Sequence, residues 1–319
     1  MEAARVLRGL TQADLGEAVG VSQRTISQIE IRASRAEPGL TRTIATALGF
    51  PVDLFEQPDP SPRIGHVLRA SLPRTARNDF LASVTMANAH ANLLLGPHAA
   101  NILRDPDGYA HPHDFAARLR RRWALPTGPV TRLIPTLEAQ GIVCIYRDLT
   151  PIRTPALIST TERGQTLLFL DAGATRVELA WGIAHELGHR VFGEEPLKKG
   201  ENDADAFAAA FLMPGRELLD DDELRVGLDL ALAATAWGVR PRALAQRLRE
   251  LNRITDLQFR ALVHDAKALP EVDGRTSLIG VPAALADAVR CMGGSHAAAR
   301  QAHLTTEELR RDYLARSGR

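Results

Sequence analysis

The sequence is short of cysteine, of net charge and of long apolar runs. Its 319 residues include only two cysteines, Cys144 and Cys291. They stand far apart without metal-ligand spacing, which excludes a disulfide framework and fits a reducing compartment. The formal net charge is +1, so the chain as a whole has no electrostatic case for nucleic acid or an anionic membrane. No segment is as uniformly apolar as a bilayer span requires. The first twenty residues read as a polar, patterned helix pair rather than a basic stub before an apolar stretch, so a secretory leader is not expected. Internal repeats and low-complexity tracts are missing too. What is present is a chain that is 45% apolar. It is long enough for two or three compact units and is expected in the cytoplasm.

The opening segment reads as short helices joined by tight turns. Thr11 can cap a helix Gln12–Val19, with Leu15 and Ala18 facing inward and Gly20 at its C-terminal end. Ser22 can cap the next helix, with Ile26 and Ile29 inward. A further helix, Thr41–Leu48, stops at Gly49. Pro58, Pro60 and Pro62 then mark a linker. Residues 64–123 look helical apart from a loop at Asp105–Pro112. A helix Val130–Ala139 leads into a strand-like run Ile142–Tyr146, and a second strand, Thr166–Leu170, precedes a long helix Arg176–Phe192. Another helix, Asp203–Leu212, is stopped by Pro214, and helices continue through Leu251. Near the end, Thr305 and Glu308 have capping-box spacing.

The strongest chemical signal is His185-Glu186-Leu187-Gly188-His189. Residues four apart on a helix share a face, so both imidazoles can reach one zinc ion. Glu186 lies one residue round, where a carboxylate can take a proton from water that the metal activates. Val177, Ala180, Trp181, Ala184 and Val191 form the stripe expected of a helix in the interior. A catalytic zinc usually has three protein ligands. The next helix offers Glu201 and Asp205, four apart on one face. One carboxylate can bind the metal while the other orients a ligand histidine. Glu201 is the expected third ligand, with Asp203 and Glu194 as rivals. Asp203 is also the sort of acid that simply favours a helix N-terminus.

The run AHELGHRVFG followed by ENDADAFAAAFLMP resembles the ImmA/IrrE family of metallopeptidases, whose pattern is AHExGH and then E-x-x-A-[ND]-x-F-A-x-x-L-[LM]-P. The resemblance places Glu201 at the third zinc ligand, Asp205 at the position behind a ligand histidine, and Leu212-Met213-Pro214 at the closing tripeptide. With Trp123-x-Leu125-Pro126 and the two strands it covers roughly residues 115–215. The sequence departs from the pattern at Val191-Phe192-Gly193, where the family often has another histidine, and at Asp205, where Asn is commoner.

At the other end, GLTQADLGEAVGVSQRTISQIE resembles the helix-turn-helix of phage-repressor-type (XRE) regulators. In that motif the second helix enters the major groove. The matching positions are Gln23, Arg24 and Gln28, with Gln12 placed to meet a phosphate. Gln and Arg suit bidentate contacts to adenine and guanine. Residues 1–57 carry six arginines, no lysine and seven acidic groups, a net −1, which points to weak phosphate affinity for this unit alone and keeps a protein-binding module as the competing reading. Residues 58–125 carry nine arginines against five acids, a net +4, and include the cluster Arg118, Arg120, Arg121 and Arg122. These could add DNA contacts, although a solvated helix face is the simpler reading.

Three further features carry weaker signals. His111-Pro112-His113 reads as a solvated turn rather than a metal clip. Leu230–Leu251 resembles the small helical unit that follows the peptidase core in such fusions, with a second DNA-binding motif as the alternative. Cys144 reads as core.

The expected fold is α+β and mainly helical. It comprises a helix-turn-helix DNA-binding domain (1–57), a linker and helical connector (58–114), a zincin-like metallopeptidase core with a small β-sheet (115–215) and a helical C-terminal region (216–319). The resemblances imply a cytoplasmic regulator, linked to stress response, that uses Zn2+ to hydrolyse a partner protein such as a repressor or toxin–antitoxin partner. The alternatives are a transcription factor whose peptidase-like domain senses a ligand or metal, and an antitoxin-like protein-binding module. A homodimer on operator DNA is expected, because a palindrome offers two half-sites.

Overall fold

The computed structural model describes residues 1–31, 36–56, 63–64, 74–96, 111–161, 165–192, 197–221, 224, 229–266 and 279–314. The proline linker, Glu194 and the loop before His111 lie outside these residues. By compactness the chain divides into two units, each drawn from separate stretches of sequence. The first is Met1–Ala99, Ser159–Gln165 and Leu285–Leu314, and the second comprises Ala100–Ile158, Thr166–Ala284 and Ala315–Arg319. The fold is mainly helical with a small sheet, the α+β class expected. No helix among the described residues is long and apolar enough to cross a membrane.

The first unit begins with five short helices: α1 (Glu2–Leu7), α2 (Gln12–Val19), α3 (Gln23–Glu30), α4 (Pro38–Leu48) and α5 (Val52–Glu56). Thr11 caps α2 through a reciprocal box with Asp14. Gly20 turns the chain in the left-handed region at φ 74°, which a residue without Cβ adopts at little cost. Ser22 then caps α3 by accepting from Thr25 N. Leu15, Ile26, Ile44 and Leu48 are fully buried together. Ala18, expected to face inward, is exposed. At 100° per residue it falls outside the arc of Leu15, Gly16 and Val19 that meets the core.

The small core of this unit is completed from outside the five helices. Helix α6 (Arg74–Leu95) packs on α1 and contributes Met86 and Ala89. A two-residue strand β1 (Arg63–Ile64) pairs antiparallel with Ser159 and Thr160.

The second unit contains the sheet β3 (Ala156–Thr160), β4 (Thr166–Asp171) and β2 (Ile142–Arg147) in that order, although the outer end of β3 clusters with the first unit. β2 and β4 run parallel in register from Ile142 opposite Thr166 to Arg147 opposite Asp171. Both are buried along nearly their whole length, as parallel strands covered on two faces must be. β3 was not anticipated, because a five-residue run opened by Pro155 and broken by Ser159 and Thr160 carries little periodic signal.

Around this sheet lie α7 (Pro112–Arg122), α8 (Leu133–Ala139), α9 (Arg176–Phe192), α10 (Leu197–Leu212), α11 (Gly215–Leu219), α12 (Leu230–Trp237), α13 (Pro241–Glu250) and α14 (Asp256–Ala266). α10 starts six residues before the expected Asp203. Gly200 disfavours a helix by about 1 kcal/mol, a cost outweighed by the packing of α10 on α9 and α7.

His111 and Pro112 open α7 as its N-cap and first residue, so the motif read as a solvated turn is a helix start. Pro at that position loses no hydrogen bond and presets φ. Arg120, read with its neighbours as a solvated face, is buried. Its guanidinium donates to the carbonyls of Phe211, Pro126 and Gly128 at 2.9, 2.7 and 2.9 Å. Arg247 on α13, also buried, donates to Met213 O at 3.2 Å. Two cations thus satisfy orphan carbonyls where α10 ends, the end at which the helix dipole favours positive charge.

After α14 the chain adds α15 (Ala284–Cys291), α16 (Ser295–Ala302) and α17 (Thr306–Tyr313). Within the first unit α16 packs on α6, and Gln301 Nε2 donates to Leu93 O at 2.8 Å. Tyr313 Oη meets His90 Nδ1 of α6 at 2.6 Å. Ala298, Ala299, Ala302 and Leu309 are buried. Thr305 and Glu308 form the capping box that their spacing predicts.

Candidate metal centre

The site is built where α9 and α10 press together. Thr175 and Glu178 start α9 with reciprocal bonds: Glu178 N to Thr175 Oγ1 at 3.3 Å, and Thr175 N to Glu178 Oε2 at 2.9 Å. Burial pushes the Glu178 carboxyl up, but the Thr175 donors and Arg240 outweigh it and hold it below the ordinary value. Val177, Ala180, Ala184 and Val191 form the buried stripe, with Trp181 half-buried against the same core. A Cβ on Gly188 would lie 2.8 Å from Ala204 Cα and 3.1 Å from Ala204 O. The glycine inside His-Glu-x-Gly-His and the alanine inside E-x-x-A therefore meet, which fixes how closely the two helices approach. Gly182 makes a similar approach to Pro155 and Ala156 at the start of β3.

This approach gathers three side chains. His185, His189 and Glu201 each place a ligand-capable atom within 4.8 Å of the others, a group that could hold a metal ion. His185 Nε2 and His189 Nε2 are 3.0 Å apart, and each lies 3.3 Å from one oxygen of the Glu201 carboxylate. Two neutral imidazole nitrogens and a carboxylate are a donor set suited to zinc. His185 Nδ1 is 2.9 Å from Asp205 Oδ1, so the more distant ring nitrogen is held by a carboxylate, which fixes the tautomer and the aim of the ring. Burial alone would lower the His185 pKa, but its bond to Asp205 and the nearby acids raise it.

Glu186 stands outside the three-atom group. Its Oε2 accepts a hydrogen bond from the backbone N–H of Ile158 on β3 at 2.9 Å. Burial pushes its carboxyl up to about 7 against the opposing pull of that N–H and of His185. Asp203, the rival to Glu201, is half-buried and does not enter the group. It is two residues from Glu201, hence on another face of α10. Sequence reasoning missed the Ile158 N–H that meets Glu186, because it is a backbone donor on an unforeseen strand. Cys144 is buried in β2, and desolvation raises its thiol well above the ordinary value, as a core residue requires.

On α3, Gln23 and Arg24 are exposed at the N-terminal end and Gln28 is half-buried on the last turn. Gln12 does not simply point outward. Its amide donates to Glu30 Oε2 at 2.8 Å, and Glu30 also takes Arg5 Nε and Nη2 at 2.8 and 3.0 Å. Arg5, Gln12 and Glu30 thereby tie α1, α2 and α3 into one body.

Comparison with known families agrees with both ends of the chain. Residues 137–249 match the IrrE N-terminal-like domain, and residues 1–55 match the helix-turn-helix family. The chain is a fusion of an XRE-type helix-turn-helix domain with an IrrE/ImmA-like domain of the metallopeptidase type. No curated protein and no solved structure matches it.

Proposed function

We propose that this protein is a DNA-binding transcription regulator whose second unit is a zinc-dependent endopeptidase acting on a partner protein, a repressor or a toxin–antitoxin component. The observation that carries the reading is the convergence of His185, His189 and Glu201, with Asp205 behind one histidine and Glu186 beside but outside the group. His185, His189 and Glu201 would hold the ion, which when bound supplies Lewis acidity and lowers the pKa of a water molecule. Asp205 aims His185. Glu186, oriented by the Ile158 N–H, takes a proton from the attacking water and passes it to the amine that leaves. Gln23, Arg24 and Gln28 read base edges, and two copies bind a palindromic operator in the cytoplasm.

A positioned general base contributes about 10²–10⁴-fold in rate. Glu186→Gln should therefore keep operator binding and lose cleavage of a co-expressed candidate repressor, followed by blotting, along with induction of the regulated promoter. Normal induction with an intact repressor in that variant would replace proteolysis with ligand sensing.

A further inference from the structure

Two buried arginines converge on the C-terminal end of α10, and every residue involved belongs to the second unit. Arg120 of α7 donates to Phe211 O at 2.9 Å, and Arg247 of α13 donates to Met213 O at 3.2 Å. Each guanidinium is braced in turn. Arg120 also meets Pro126 O, Gly128 O and the carboxylate of Glu217, which accepts from the Gly128 N–H. Arg247 Nη1 lies 3.3 Å from His113 Nε2 and 3.4 Å from Glu250 Oε2. Burying a guanidinium carries a desolvation cost that an aliphatic side chain of similar volume avoids. What the cation adds is direction, since its N–H groups form a rigid fork.

We infer that Arg120 and Arg247 are positioning residues for the metal centre, fixing how far α10 is advanced along α9. The inference rests on the reading of Glu201 as a metal ligand. The contact between Gly188 and Ala204 sets the separation of the two helices, but residues that small raise little ridge against sliding. Phe192 of α9 and Phe207 of α10 meet edge-on at 6.1 Å, and aromatic pairs are favourable over a wide range of offsets, about 4.5–7 Å between centroids. A stop at the end of the helix supplies what these contacts leave free. Phe211 lies within α10, and Met213 N–H still bonds to Ala209 O at 2.9 Å, so both gripped residues belong to the helical ladder.

A helix passes on an axial shift undiminished. Glu201 therefore moves as far as Phe211 does, although about 15 Å of helix separate them at 1.5 Å per residue. The tolerance at the site is small. His185 Nδ1 and Asp205 Oδ1 are 2.9 Å apart, and about 0.7 Å more along that line ends the hydrogen bond. Zinc–ligand distances hold to within about 0.2 Å.

The test combines two readouts on the full-length chain. In zinc-free protein at mildly alkaline pH, the nitrogen chemical shifts of the His185 ring report whether Asp205 still holds Nδ1–H. With zinc added, competition against a chelator gives the affinity. Arg120→Met and Arg247→Met should each turn the single tautomer of wild type into a mixture and weaken zinc by about tenfold or more. Arg120→Lys and Arg247→Lys keep a cation able to reach one carbonyl and should recover part of both signals. They also stand in for a methionine variant that does not fold. Glu138→Ala removes the acceptor for Ala283 N and Ala284 N elsewhere in the same unit. It should lower stability yet leave both signals as in wild type. Wild-type tautomer and affinity in the arginine variants would overturn the inference, as would an equal change in Glu138→Ala. A wild type that takes up no zinc would sink the metal reading, while the ring signal still decides whether the arginines place α10.

Discussion

Gly188 carries the tightest constraint among the residues of the metal motif. The distances to Ala204 involve backbone atoms, which cannot swing aside as a flexible side chain would. Gly188→Ala should therefore force α9 and α10 apart and destabilise the chain by about 1–3 kcal/mol, the usual cost of overpacking. Chemical denaturation measures it, and an unchanged midpoint would show that the helices separate freely. The histidine pair was legible in the sequence because its spacing is local: four residues on one helix decide the geometry. Glu201 and Asp205 were legible as a pair for the same reason, but that they face His185 depends on the Gly188–Ala204 contact. The Ile158 donor was not legible. It lies 28 residues from Glu186, and a backbone N–H leaves no residue type to read.

At the scale of elements, caps and turns were the most readable features, because each is settled within a few residues. The boundaries of α2 and α9 fall where their sequences place them, and Thr305 with Glu308 caps α17. The start of α10 was less legible, since tertiary packing overrides the local cost of Gly200. The Glu308 carboxyl is held below its ordinary value chiefly by the Thr305 N–H, against a smaller opposing effect of burial. A depressed folded pKa contributes stability above the unfolded value and loses it as pH falls through the folded value. The difference in Tm between wild type and Glu308→Gln should thus be present near neutrality and shrink as pH drops below about 4. A difference independent of pH would mean that the cap acts through packing alone.

For α3, Gln23→Ala/Arg24→Ala should weaken operator protection in footprinting, since each lost base-edge pair costs about 1–3 kcal/mol. Protection equal to wild type at the protein's own promoter would contradict base reading by this helix. Gln12 needs no such expectation of phosphate contact to explain its presence, because its bond to Glu30 already ties α2 to α3.

For the whole molecule, the sequence announced both ends of the fusion but not the way the chain returns on itself. The final helices carry no chemical motif, and in the structure α16 and α17 pack on α6 within the unit that begins at Met1. Such long-range pairing follows from shape and burial, which a linear reading cannot supply. In the proposed function His185, His189 and Glu201 form a zinc centre to which Glu186 is not a ligand. Zinc per chain, measured by elemental analysis on purified wild type, His185→Ala/His189→Ala, Glu201→Gln and Glu186→Gln, tests it most directly. About one zinc is expected in wild type and in Glu186→Gln, with marked loss in Glu201→Gln and none in the double variant. Equal zinc in wild type and the double variant, or loss on replacing Glu186 alone, would contradict it.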